Sequence, residues 1–206
     1  MDNEKIEDLV HYYDQFHTEM GRPKRTSIGC YQPTDLHDVK TLFDQLIADQ
    51  FLDARDVFVD TGGGDGRIAA LASLYGVHAI SIEADSRMHQ KATRRVAALE
   101  AYGILPYAKG RTNLFCVQGN FLETKTYTRG LSISPRLVDI VFNANSNEAA
   151  LSQFISQHMK NEVYVVVMQS FGERIHGLSR YATYRDGTGR YLATMFKKEK
   201  YQLRQS

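Results

Sequence analysis

The chain predicts a doubly wound α/β domain: a mostly parallel sheet with helices on both faces, closed by a C-terminal antiparallel hairpin. Three observations predict it. Short apolar or β-branched runs recur at 57–60 (VFVD), 79–83 (AISIE), 113–117 (NLFCV), 138–142 (VDIVF) and 163–168 (VYVVVM). Helical patterns separate several of them, the arrangement expected of a parallel sheet buried on both sides. The stretch RYATYRDGTGRYLATMF (180–196) is two strand-like runs around an Asp-Gly-Thr-Gly turn, hence a hairpin, which brings the sheet to seven strands.

Taken in order, residues 4–18 place Ile6, Leu9, Val10 and Tyr13 on one helical face. The following GRPKRTSIGCYQP breaks that pattern with glycine, proline and polar residues and predicts a loop. Thr34 is the expected N-cap of a helix whose Leu36, Val39, Phe43, Leu46 and Ile47 recur at three and four. Ile68, Leu71, Ala72 and Tyr75 share a helical face between the first two strands, and Met88, Ala92, Val96 and Leu99 share another between the second and third. Leu151, Phe154, Ile155 and Met159 make a further face before the fifth. Residues 1–30 are expected to form an appended helix and loop, and 31–206 the ligand-binding domain.

The chain has 206 residues, 43% hydrophobic and 24% charged, enough for a real core. Twenty-five basic and 24 acidic residues leave a net charge of +1, which argues against a general polyanion binder. Basic clusters at 22–25 (RPKR) and 196–204 are expected to be solvated surface. The two cysteines, Cys30 and Cys116, lack metal-ligand spacing, and Cys116 lies in an apolar run that predicts an inert thiol. There is neither a signal-peptide pattern nor an apolar stretch of the roughly 20 residues that span a bilayer, so the expectation is a cytoplasmic protein without membrane contact.

The chemistry concentrates at DVFVDTGGGDGRIAALASLYGVHAISIEADSRM (56–88). Asp60, Gly62, Gly64 and Gly66 form D-x-G-x-G-x-G directly after a strand and before a helix. Glycines there allow a tight turn and let a ligand approach the backbone, at the carboxyl end of the strand where open α/β sheets bind ligands. Glu83 ends the next strand, at the spacing where a carboxylate accepts both ribose hydroxyls of an adenosine ligand. The dinucleotide fingerprint is G-x-G-x-x-G, with a pyrophosphate at the helix N-terminus. Here the glycines are two apart and an acid precedes them. Asp60 would repel a pyrophosphate but can hold an ammonium group, so the charges favour S-adenosyl-L-methionine, whose sulfonium and ammonium are both cationic.

At this point the chain resembles the seven-strand, Rossmann-like S-adenosylmethionine-dependent methyltransferases, over about residues 31 to 197. VQGNFLE (117–123) is similar to that family's Gly-Asp-Phe station, where the acid meets the adenine amino group and the ring packs on the purine. Asn120 replaces the acid, and its amide oxygen can still accept from the amino group. Phe121 would stack on the base. FNANSN (142–147) has neither the proline nor the aromatic residue typical of enzymes acting on exocyclic base amines. Nor does an acid cluster follow it to hold Mg²⁺, so no metal is expected.

Within the family, the chain resembles the non-SET protein lysine methyltransferases of the histone-core type and their small archaeal and mitochondrial relatives. The resemblance lies in CYQPTD (30–35), GNFLE (119–123), FNANSN and VVVMQSFG (165–172). It implies that Thr34 lies in the cofactor site, that Tyr31 and Phe171 line an acceptor channel, and that Asn143 orients the amine or the cofactor carboxylate. A loop staple for Tyr31 and a strand-end backbone partner for Asn143 are the alternative roles. The expected substrate is a protein, with nucleic acid not favoured. RNA or a small molecule as acceptor, and a catalytically silent binding module, are the competing readings.

Overall fold

A computed structural model describes residues 2–16, 24–26, 29–105, 113–144, 148–168, 175 and 177–198. The first helix, α1 (Asn3–Asp14), is capped by Asp2, whose carboxylate accepts from the Lys5 amide. Ile6, Leu9, Val10 and Tyr13 are buried on its inner face. The expected loop after it contains a short antiparallel ribbon, β1 (Lys24–Thr26) with β2 (Gly29–Tyr31), which brings Lys24 opposite Tyr31. Three-residue strands are too short to leave a periodicity in sequence.

Helix α2 (Leu36–Ala48) is capped by Asp35, one residue later than expected: its Oδ1 accepts the His37 amide at 2.8 Å. Aspartate caps at least as well as threonine. Thr34 is buried instead, and its carbonyl accepts from Arg67 at 3.3 Å.

The central sheet has seven strands. They are β3 (Val57–Thr61), β4 (His78–Glu83), β5 (Leu114–Gln118), β6 (Ile140–Ala144), β7 (Tyr164–Met168), β8 (Leu178–Arg185) and β9 (Tyr191–Lys198), in the order β5-β4-β3-β6-β7-β9-β8. The first five are parallel, and β9 runs antiparallel to β7 and β8, as expected. β6 starts two residues later than the apolar run, because Asp139 is used at the strand mouth. There its amide donates to the Val57 carbonyl at 3.0 Å and its Oδ2 accepts the Val57 amide at 2.8 Å.

Phe58, Ala79, Phe142 and Val166 face one core, shared with α1, α2, α3 (Arg67–Leu74) and Leu99 of α4 (Ser86–Ala101). Val59, Ile82, Val141 and Val167 face the other, with α5 (Thr124–Gly130) and α6 (Glu148–His158). Burial of both faces explains the unalternating strands. The helix ahead of residue 31 thus shares its core with the sheet. Among the described residues, no helix is long and apolar enough to cross a membrane.

Strand order reverses between β3 and β6. β3 leads outward through α3 to β4 on one side, while β6 pairs with its other side, setting Thr61 beside Asn143. A crevice outside the carboxyl ends of strands at such a switch point is where this architecture takes ligands.

Candidate functional site

Between β3 and α3 the chain turns through Gly62, Gly64 and Gly66, at φ of 75°, 55° and 81°. The Gly62 and Gly63 amides both donate to the Ile82 carbonyl at 3.0 Å, tying the loop to β4, and Gly66 N–H closes on the Gly63 carbonyl at 2.8 Å. Gly63, an unspecified position in the predicted pattern, carries the tightest steric demand. A Cβ there would collide with Ser81 Oγ and lie 3.2 Å from Asp60 Oδ2. At Gly66 a Cβ would sit 3.1 Å from Ala92 of α4, in a left-handed conformation that side chains disfavour.

Glu83, at the end of β4, is 7% exposed. Its Oε2 accepts the Gly64 amide at 2.8 Å and its Oε1 the Asp85 amide at 2.7 Å. Asp85 in turn caps α4 by accepting from Arg87 and Met88. Two fixed oxygens, each with further acceptor capacity, therefore stand beside the glycine loop. The sequence predicted this carboxylate as a ligand group. It is also the staple that shapes the loop.

Asp60 is 1% exposed, and among the described residues its Oδ2 has no hydrogen-bond partner; the same holds for the neighbouring Ser81 Oγ, in register across β3 and β4. Burial, then the Glu83 and Asp65 carboxylates, hold its pKa well above the usual carboxylate range. A buried acid in this position calls for a cationic partner. Burial, reinforced by Asp60, pushes the nearby Cys116 thiol up to about 12, so that cysteine is inert.

A cluster that sequence reasoning missed lies behind the loop. Asp65, 1% exposed, accepts from Arg67 Nε at 3.0 Å and Nη2 at 2.8 Å, and from Arg95 Nη1 of α4. The Arg67 and Arg95 guanidinium carbons stand 5.1 and 5.5 Å from the Tyr13 ring centre, and that of Arg95 is 4.0 Å from Phe16. Tyr13 Oη donates to the Asp65 carbonyl at 3.4 Å. The only sequence signal was an arginine at position 95, three residues after Ala92 and four before Leu99 on the buried face of α4.

Asn143 is fully buried on β6, in register with Thr61 and Val167 at the switch point. Asn120 is exposed two residues beyond β5. Its Oδ1 accepts the Leu122 amide at 3.0 Å and its carbonyl accepts from Thr126 Oγ1 at 2.8 Å. Phe121 is half-buried against the second core, and its carbonyl accepts from Tyr127 Oη at 3.0 Å. The fold thus gathers Asp60, Gly62, Gly64, Gly66, Glu83 and Asn143 at the carboxyl ends of β3, β4 and β6, with Asn120 and Phe121 just after β5. Tyr31 lies in the β1–β2 ribbon. Phe171, Asn145 and Asn147 lie outside the described residues. Among the described residues no group of His, Cys, Asp and Glu is placed to hold a metal ion.

No protein-family model and no curated protein matches the chain. Solved structures do. An RNA methyltransferase from Salinibacter ruber in complex with S-adenosyl-L-homocysteine aligns with a TM-score of 0.54 at 20% identity, over 80% of this chain and 90% of its own. The protein yhhF from Escherichia coli aligns at 0.56 and 18%, over 82% and 88%. MtNAS in complex with MTA and tNA aligns at 0.58 and 13%, over 96% of this chain and 69% of its own. The resemblance to lysine methyltransferases gains no support from these likenesses. At such identities they show a shared fold alone.

Proposed function

We propose that the chain is an S-adenosylmethionine-dependent methyltransferase. The observation that carries this reading is the Glu83 carboxylate, fixed by the Gly64 and Asp85 amides beside the glycine loop, with Asp60 behind that loop, whose Oδ2 finds no hydrogen-bond partner among the described residues. Glu83 would accept from the ribose hydroxyls. Asp60 would supply the negative charge that the cofactor's ammonium group needs, and the loop backbone would allow close approach. Asn120 would accept from the adenine amino group through its amide oxygen, and Phe121 would pack on the base. Thr34 and Asn143 would complete the cofactor pocket. When bound, the cofactor supplies a methyl group on a cationic sulfonium.

For the acceptor we propose a protein lysine amine, on the segments around Tyr31, Asn120, Asn143 and Phe171 that resemble lysine methyltransferases. A lysine must be neutral to attack, against a reference pKa near 10.4. In the segment at and after the end of β6, Asn143, Asn145 and Asn147 carry neutral amides, which cannot take its proton. Desolvation by Tyr31 and Phe171 would therefore lower the amine's pKa, with Asn143 orienting it. RNA is the second reading, favoured by the RNA methyltransferase among the structures of like fold.

The cofactor reading is tested by calorimetric titration of S-adenosylmethionine into wild type and Glu83→Ala. The expected loss is about 1.5–3 kcal/mol, the range for hydrogen bonds to a charged group. Equal affinity in a folded Glu83→Ala protein would remove Glu83 from the site.

A further inference from the structure

Three segments distant in sequence converge on one residue of the glycine loop. Asp65 stands between two left-handed glycines and is held on its carboxylate by a two-pronged bond from Arg67 and a bond from Arg95 of α4. Its carbonyl accepts from Tyr13, near the end of α1, and Arg67 also donates to the Thr34 carbonyl in the lead-in to α2. Arg67 and Arg95 both lie against the Tyr13 ring. The carboxylate and both guanidiniums are nearly sealed from water, at 1%, 4% and 6% side-chain exposure. In such a place an ion pair is costly to disturb, and its geometry is strongly enforced.

We propose that Tyr13, Arg67 and Arg95 are positioning residues of the ligand site: acting through Asp65, they couple the docking of α1 to the shape of the glycine loop. The inference rests on the cofactor reading above and adds a component to it. The amide that donates to Glu83 belongs to Gly64, the residue before Asp65. A shift of Asp65 therefore moves the amide that fixes the Glu83 carboxylate. The N-terminal helix is then a working part of the site. Coupling of this kind is reciprocal: whatever α1 does for ligand affinity, bound ligand must do for α1.

That reciprocity separates a positioning role from a purely structural one. In the full-length protein, S-adenosylmethionine affinity would be measured by calorimetry for wild type, Arg95→Met, Tyr13→Leu and Glu83→Ala, at a temperature where circular dichroism shows each folded. Amide hydrogen exchange of Ile6 to Tyr13 would be followed in wild type with and without saturating ligand. Arg95→Lys, which keeps the charge but lacks the guanidinium fork, stands in if Arg95→Met does not fold. The expected result is an affinity loss of about tenfold in the Arg95 and Tyr13 variants, within the range of couplings between contacting residues, and slower exchange across α1 when ligand binds. Wild-type binding that is weakened by Glu83→Ala but untouched by the Arg95 and Tyr13 variants, with α1 exchange indifferent to ligand, overturns the coupling and leaves the cofactor reading standing. A wild-type protein that binds no S-adenosylmethionine overturns both.

Discussion

Replacing Asp60 by asparagine should make the protein more stable and a poorer binder. In the free protein the carboxyl is 1% exposed, with an oxygen that finds no partner among the described residues and two further carboxylates, Glu83 and Asp65, nearby. Leaving such a group unsatisfied costs about 1–3 kcal/mol. The asparagine amide carries no charge and can donate to Ser81 Oγ, which likewise has no partner among the described residues. For a chain of this size that gain corresponds to roughly 3–9 °C in Tm, at about 3 °C per kcal/mol.

The pH dependence fixes the cause. Asp60's folded-state pKa is raised above the ordinary 3.8, so the folded protein holds its proton more tightly than the unfolded chain does. Wild type therefore loses stability as pH rises from about 4 through the raised value, then levels off. The advantage of Asp60→Asn should be small at pH 4, grow with pH and then level off. Thermal melts across that range, paired with cofactor titrations, make the assay. The affinity loss should be about 10- to 150-fold, the equivalent of 1.5–3 kcal/mol for a charge-assisted bond. A variant that melts below wild type at pH 7, or that binds S-adenosylmethionine equally well, would refute the role assigned to Asp60.

Gly63→Ala should destabilise the protein by about 1–3 kcal/mol, as overpacking does, because its Cβ runs into Ser81; denaturant melts that match wild type would show the loop yielding freely. Gly64→Val should abolish cofactor binding, since it forces a branched side chain to φ 55° beside the Glu83 bond; calorimetry on the folded variant decides this. Asn120→Asp should bind the cofactor as well as wild type or better, because a charged acceptor is the stronger one. A large loss would mean that Asn120 acts as a donor through its amide nitrogen, because aspartate would still accept the Leu122 amide.

What the sequence made legible, and what it hid, divides along physical lines. The β-branched runs announced strands because a doubly covered sheet leaves no polar face: Val165, Val166 and Val167 are all buried, on alternating sides. Asp60 and Glu83 stood out as acids ending apolar strands, where core packing offers no reason for a charge. The Asp65–Arg67–Arg95 cluster was illegible because its members look like ordinary surface charges until the fold brings positions 30 apart together and lays Tyr13 over them. Gly63 was hidden for a similar reason, its constraint coming from Ser81 on another strand. Helix α5, TKTYTRG, escaped notice because threonine-rich turns carry little helical propensity; the burial of Tyr127 and Thr126 and their hydrogen bonds to the Phe121 and Asn120 carbonyls hold it in place.

Methyl transfer by this chain would be read out as transfer of label. The protein would be incubated with methyl-labelled S-adenosylmethionine and cell lysate at pH values from 6 to 10, and the products divided by protease and nuclease. Label is expected in protease-sensitive, nuclease-resistant material, at a single-turnover rate that climbs above neutrality as the lysine amine loses its proton, and that falls in Tyr31→Ala and Phe171→Ala. Label confined to nuclease-sensitive material, or a rate flat from pH 6 to 10, would contradict the lysine acceptor and favour RNA. No label in any fraction above that of a lysate incubated without the protein would contradict methyl transfer itself.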